Sequence, residues 1–209
     1  MYSIGLDLGQ RRDPAAIAVV GKLDSRPLEV RRLYGSTERS GFTVRHLERI
    51  PLGTPYPLVV ERVRKIAGHW ELVGRCNLVV DATGVGGPVV DLLRGAGLGF
   101  EVCAVTITGG GQEHKLNNGG FSVPKQDLFA GLQVLLEKNE LHIAKQLKEA
   151  VALRRELLSV KQRESDTGRV KMGAEGAGQH DDLVMALALA CWRAKRKEIG
   201  WGSGRLLGV

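Results

Sequence analysis

The feature that most constrains this chain is an apolar run near its end, Gly178-Gln-His-Asp-Asp-Leu-Val-Met-Ala-Leu-Ala-Leu-Ala-Cys-Trp192. Rich in Ala and Leu and free of helix breakers before Gly200, it reads as a helix. Leu183, Val184, Met185, Leu187 and Leu189 leave hardly any polar face, and a helix apolar on all sides is a buried one. Asp181 and Asp182 stand at its mouth. The helix dipole and the free N–H groups of a first turn favour an acid there, so capping alone accounts for one of the two. Two carboxylates delivered to the edge of a core need a compensating charge, and a divalent cation is the obvious candidate.

Further acids come from elsewhere. Tyr2 to Leu8 reads as a strand carrying Asp7, followed by a turn through Gly9-Gln-Arg-Arg-Asp-Pro14. Ala15 to Val20 and Leu28 to Tyr34 continue it as an antiparallel meander. Gly35 to Pro57 is polar and punctuated by Pro, hence a loop, and Leu58 to Val73 has helical spacing up to Gly74. Asn77 to Val80 is a short buried strand that delivers Asp81. A glycine-rich turn, Thr83-Gly-Val-Gly-Gly-Pro88, opens a helix through Leu93, and Phe100 to Thr108 is the next strand. Strand, helix and strand in that order imply a parallel segment. Gly109 to Gly120 is expected to be a mobile loop. Pro124 suits the start of a helix reaching about Lys138, with Leu128, Leu132 and Leu135 inward. Leu141 to Ile143 reads as a strand and Lys145 to Leu158 as a helix. Ser159 to Lys171 reads as a basic hairpin turning at Asp166-Thr-Gly168. The expected fold is a single α/β domain over 1–209, a mixed sheet flanked by helices, with a frayed tail after about residue 198.

Charge supplies the partner class. The chain of 209 residues carries a net charge of +7, which favours an anionic partner, nucleic acid before a membrane surface. Cys76, Cys103 and Cys191 are scattered without CxxC or Cys/His spacing, so they read as core thiols of a reducing compartment rather than zinc or redox ligands. No signal-peptide pattern opens the chain and no run is long enough to span a membrane, so a cytoplasmic location is expected.

Asp7 and Asp81, each ending an apolar strand, and Asp181 with Asp182 at the helix mouth offer acids from three elements for one cluster. Like charges raise one another's pKa, so such a cluster is stable as anions only around a cation. Oxygen-only ligands suit Mg²⁺ or Mn²⁺. Two such ions roughly 3.5–4 Å apart activate water and stabilise the leaving oxygen of a phosphodiester.

The same residues carry a resemblance. Gly5-Leu-Asp7-Leu-Gly with Asp13-Pro-Ala-Ala-Ile, Leu78-Val-Val-Asp81-Ala-Thr-Gly-Val-Gly, and His180-Asp-Asp-Leu-Val-Met-Ala-Leu-Ala together resemble the nuclease domain of phage terminase large subunits. That resemblance implies a ribonuclease H-like fold related to Holliday-junction resolvases, and two-metal cleavage of double-stranded viral DNA during packaging in a bacterial host. It implies Asp7, Asp81 and Asp181 as catalytic metal ligands and Asp182 as a candidate fourth. Adjacent helix residues point about 100° apart, and the sequence does not choose between Asp181 and Asp182. A packaging ATPase, a small terminase subunit or a portal are the implied protein partners. The chain departs from the full subunit in having no GxxxxGK[ST] motor motif, so it is expected to be a piece of a larger protein or a stand-alone nuclease.

Other residues are weighed against plainer roles. Lys161, Arg163, Arg169 and Lys171 on the hairpin are candidates to grip phosphates, or form a solvated face. Lys125, a cation at a helix start where the dipole does not help it, faces DNA or the active site. Asp13 leans to a turn role, His180 to a helix-flanking one, and Trp70 and Trp192 to the core. Two rival functions stay open. A silent DNA-binding or assembly module would tolerate loss of the acids. An actin-like ATPase or sugar kinase shares Gly5-Leu-Asp-Leu-Gly9 but needs a second, duplicated domain.

Overall fold

A computed structural model describes residues 1–9, 13–22, 41–84, 86–164, 170–174 and 180–196; at 161–164, 170–174 and Gly86 it describes only the backbone. Its centre is an eight-stranded mixed sheet. The strands are β1 (Tyr2–Asp7), β2 (Ala15–Lys22), β3 (Phe42–Ile50), β4 (Cys76–Asp81), β5 (Val102–Thr108), β6 (His114–Lys115), β7 (Phe121–Pro124) and β8 (Leu141–Ile143), in the order β6-β7-β5-β4-β1-β2-β3-β8. Antiparallel pairing joins β1 to β2 and β2 to β3, and parallel pairing joins β1, β4, β5 and β7. The carboxyl ends of β1, β3, β4, β5 and β7 therefore share one edge of the sheet.

Helices cover both faces. On one lie α1 (Tyr56–Ala67) and α2 (Gly86–Gly95), whose Val59, Val63, Val89, Val90 and Leu93 pack with Ile4, Leu6, Ile17 and Val80. On the other lie α3 (Lys125–Glu137), α4 (Ala150–Ser159) and α5 (Asp182–Lys195), packed on Ala16, Ala18, Val79 and Leu47. α5 is the buried helix foreseen in the sequence, with every residue from Asp182 to Cys191 buried. Alternation along β1 and β4 puts Ile4, Leu6 and Val80 on the α1–α2 face. Gly5, Asp7 and Asp81 consequently lie on the face of α5.

Several expectations need correction. The third meander strand is β3, inside the stretch read as a loop. Its Arg45, His46, Glu48 and Arg49 obscure the apolar positions Phe42, Val44 and Leu47 of the α5 face, and a register shift at Val19/Val20 breaks their alternation. Leu28 to Tyr34 lies outside the described residues. Helix α1 stops at Gly68 rather than Gly74, so the helical spacing of Trp70 and Val73 has no helix beneath it. Trp70 is 77% exposed, not core. The loop after β5 contains β6, paired antiparallel with β7. The hairpin is borne out in the backbone, as β9 (Val160–Glu164) paired with β10 (Val170–Ala174). The side chains of Lys161, Arg163 and Lys171, Arg169 altogether, and the tail after residue 196 lie outside the described residues. All three cysteines are free and buried, as expected. Among the described residues no helix is long and apolar enough to cross a membrane.

Candidate active site at the carboxyl edge of the sheet

Asp7 ends β1 and Asp81 ends the parallel neighbour β4, so sheet register alone sets these two acids side by side. Helix α5 crosses the same face and brings its amino end, with Asp181 and Asp182, over them. Its approach depends on small residues beneath it, Gly5, Ala16 and Ala18. Each site element follows from a local preference: a short apolar strand for each lone acid, and an Ala/Leu helix able to lie close on a glycine.

Electrostatics places Asp7 within the field of the other three carboxylates. Burial, then the charges of Asp81, Asp181 and Asp182, hold the Asp7 carboxyl well above the usual carboxylate range, with the Lys125 ammonium pulling the other way. Burial also raises Asp81, opposed by its hydrogen bonds from Thr83 and by the charge of Lys125. The Thr83 N–H donates to Asp81 Oδ1 at 2.8 Å, while Thr83 Oγ1 accepts from Ile107 N–H of β5 at 2.8 Å. Thr83 thereby ties the Asp81 carboxylate to the next strand.

Capping does not explain the Asp pair. Asp181 makes no side-chain cap hydrogen bond. Its Oδ2 accepts from Lys125 Nζ at 2.7 Å. Asp182 is 3% exposed, and its Oδ2 accepts from Arg49 Nε at 2.6 Å. Asp182 Oδ1 is buried and has no hydrogen-bond partner among the described residues. His180 Nδ1 lies 3.3 Å from Asp13 Oδ1 and 3.9 Å from Asp182 Oδ1. His180 does flank the helix, and it also links the turn after β1 to the acid pair.

The sequence-derived acids are thus brought to one edge, and Lys125 joins them there through Asp181. As they stand, no three His, Cys, Asp or Glu side chains among the described residues form a ready metal cage. Lys125 and Arg49 each hold one carboxylate oxygen instead. Trp192, half-buried, donates to Glu113 at 2.9 Å and packs edge-on against Phe121, which keeps it with the core and away from the acids.

Sequence reasoning missed three groups. Arg49 fell in the segment read as a loop. Glu156 is buried in α4, one turn from Leu153, and that i, i+3 spacing was the available signal. Thr83 was seen only as part of a glycine-rich turn.

No family model matches the chain, and no curated protein does. Solved structures do. The large terminase nuclease of thermophilic phage G20c with bound magnesium is 25% identical, with a TM-score of 0.62, covering 92% of this chain and 81% of that one. The nuclease domain of the large terminase subunit gp2 of bacterial virus Sf6 is 14% identical, with a TM-score of 0.62 and coverage of 91% and 87%. The g2p large terminase nuclease domain of bacteriophage SPP1 with bound Mn is 15% identical, with a TM-score of 0.55 and coverage of 92% and 86%. Over more than nine-tenths of its length, this chain has the ribonuclease H-like fold of large terminase nuclease domains.

Proposed function

We propose that this chain is a divalent-metal-dependent endonuclease that hydrolyses phosphodiester bonds of double-stranded DNA during phage DNA packaging. The observation that carries this reading is the gathering of Asp7, Asp81, Asp181 and Asp182 at one sheet edge by three separate elements. The donor set fits Mg²⁺ or Mn²⁺: all are carboxylate oxygens, one of them is buried without a hydrogen bond among the described residues, and Asp7 is held in a state that a cation would relieve. Asp7, Asp81, Asp181 and Asp182 would hold the ions. When bound, they supply Lewis-acid stabilisation of phosphoryl charge and a water of lowered pKa.

The chain's own residues prepare that site. Thr83 fixes the Asp81 carboxylate, Lys125 restrains Asp181, and Arg49 restrains Asp182. Basic residues of the β9–β10 hairpin are placed in sequence to hold the phosphate backbone. A packaging ATPase, with a small terminase subunit and portal, fits as the source of directed DNA movement. Nicking of supercoiled plasmid in Mn²⁺, Mg²⁺ or EDTA, with wild type beside Asp7→Asn, tests the reading. Cleavage that needs metal and vanishes in the variant is the expected result.

The ion pairs Lys125–Asp181 and Arg49–Asp182 favour a second reading, a silent DNA-binding module whose acids are internally neutralised. Uncut plasmid under every metal, with DNA still bound by the folded wild type, would select it.

A further inference from the structure

Arg49 lies one residue from the end of β3, on the same face as Leu47 and hence towards α5. Its guanidinium does two things at once. Nε donates to Asp182 Oδ2 at 2.6 Å, and Nη2 donates to Glu156 Oε1. The other oxygen of Glu156 accepts the Val184 N–H at 3.1 Å, one of the first-turn amides of α5 that its own helix cannot satisfy. Glu156 is 5% and Asp182 3% exposed. One guanidinium, two buried carboxylates and one backbone amide thus close a circuit through β3, α4 and the amino end of α5.

Stability is a poor explanation for this circuit. Taking such charges out of water costs several kcal/mol per ion by order of magnitude, and apolar replacements of buried ion pairs are often neutral or stabilising. A circuit selected for stability would also leave no polar atom stranded. Here Asp182 is gripped by one oxygen while Oδ1 stays buried with no hydrogen bond among the described residues, the His180 ring standing 3.9 Å away. An anchored carboxylate with one committed and one free oxygen is the arrangement of a metal ligand oriented from behind. The planar fork of Arg suits the task, because it reaches two carboxylates in fixed directions, as an ammonium does not.

We propose that Arg49, braced by Glu156, is a positioning residue of the cleavage site: it fixes the Asp182 carboxylate so that Oδ1 is free to take a divalent cation. This inference rests on the metal-dependent reading of the site. It assigns Asp182 a ligand role alongside Asp181 and explains why the two adjacent acids have different cationic partners.

The test is Mn²⁺ affinity, measured by electron paramagnetic resonance on wild type, Arg49→Lys, Asp182→Asn and the double variant, beside melting curves in EDTA. Arg49→Lys keeps the charge and loses the fork. It should weaken Mn²⁺ binding by about 10–100-fold while melting close to wild type in EDTA. In the Asp182→Asn background the same change should add little, because the oriented ligand is already gone. Arg49→Lys affinity within about twofold of wild type would overturn the proposal, as would an equal loss in both backgrounds. An Arg49→Lys chain that fails to fold in EDTA would make the circuit a folding device and overturn it too. A folded wild type that takes up no Mn²⁺ would sink the metal-dependent reading itself, and this inference with it.

Discussion

Gly5 of β1 and Ala186 of α5 approach so closely that a Cβ on Gly5 would lie 2.0 Å from the Ala186 carbonyl oxygen and 2.8 Å from the Ala190 amide nitrogen. Both obstacles are backbone and cannot rotate aside. The close approach sits two residues before Asp7 on one side and four after Asp182 on the other. The seat of the helix therefore also sets the distance between the strand acid and the helix acids.

Gly5→Ala is expected to destabilise the domain by about 3 kcal/mol, the upper end of ordinary overpacking. Urea unfolding measures this. Cleavage should fall even where the variant stays folded, because α5 must lift off the sheet. A variant with wild-type stability would mean that the helix sits further from β1.

Asp7→Asn should abolish cleavage and yet raise the melting temperature of the metal-free protein at neutral pH. The Asp7 carboxyl titrates well above 3.8 in the folded state, because burial and three neighbouring acids disfavour its anion. Between the unfolded and the raised folded value the native state binds more protons. Stability therefore falls as pH rises through that window and stays lowered above it. Asparagine carries no such penalty. A rise on the order of 2–4 °C corresponds to about 1 kcal/mol in a domain of this size. The difference should shrink as pH falls below the folded value. A variant that melts below wild type in EDTA at neutral pH would contradict the crowding of charge at Asp7.

Much of this site was legible in the sequence because each acid ends a pattern with a clear period. Apolar runs before Asp7 and Asp81 read as strands, and the Ala/Leu run after Asp182 reads as a buried helix. What the sequence hid were Arg49 and Glu156. Arg49 lies on a strand whose outward charges and register shift mask its alternation, so β3 looked like loop. Glu156 falls in a stretch read simply as a helix, and nothing local beyond its spacing from Leu153 singles it out from the other charged residues there. Which side chain answers a buried carboxylate is decided by tertiary pairings 107 and 133 residues apart. Local patterning does not reach that far. Trp70 failed for the opposite reason, a helical period continuing in the sequence after Gly68 had ended the helix.

On the proposed reading the β9–β10 hairpin serves DNA binding and not chemistry. Charge reversal at Arg163 and Arg169 should weaken binding to duplex DNA and flatten its dependence on salt. Each phosphate that the protein no longer neutralises lowers the slope of log affinity against log salt by about 0.9. Cleavage of a short duplex at saturating enzyme should be largely retained. An unchanged salt slope would place β9 and β10 away from the DNA.

Lys125 separates two roles that the sequence left joined. Its Nζ bonds Asp181 at 2.7 Å, and its charge opposes the upward shifts of Asp7 and Asp81. Lys125→Met removes that charge while keeping most of the stem's bulk. In the metal-free protein Asp7 and Asp81 should then titrate higher than in wild type, readable from carboxyl carbon shifts in an NMR pH titration. The salt slope of DNA binding should not change, because an ammonium engaged with Asp181 neutralises no phosphate. Unmoved carboxyl titrations with a flattened salt slope would reverse the assignment, placing Lys125 on the DNA and outside the acid cluster.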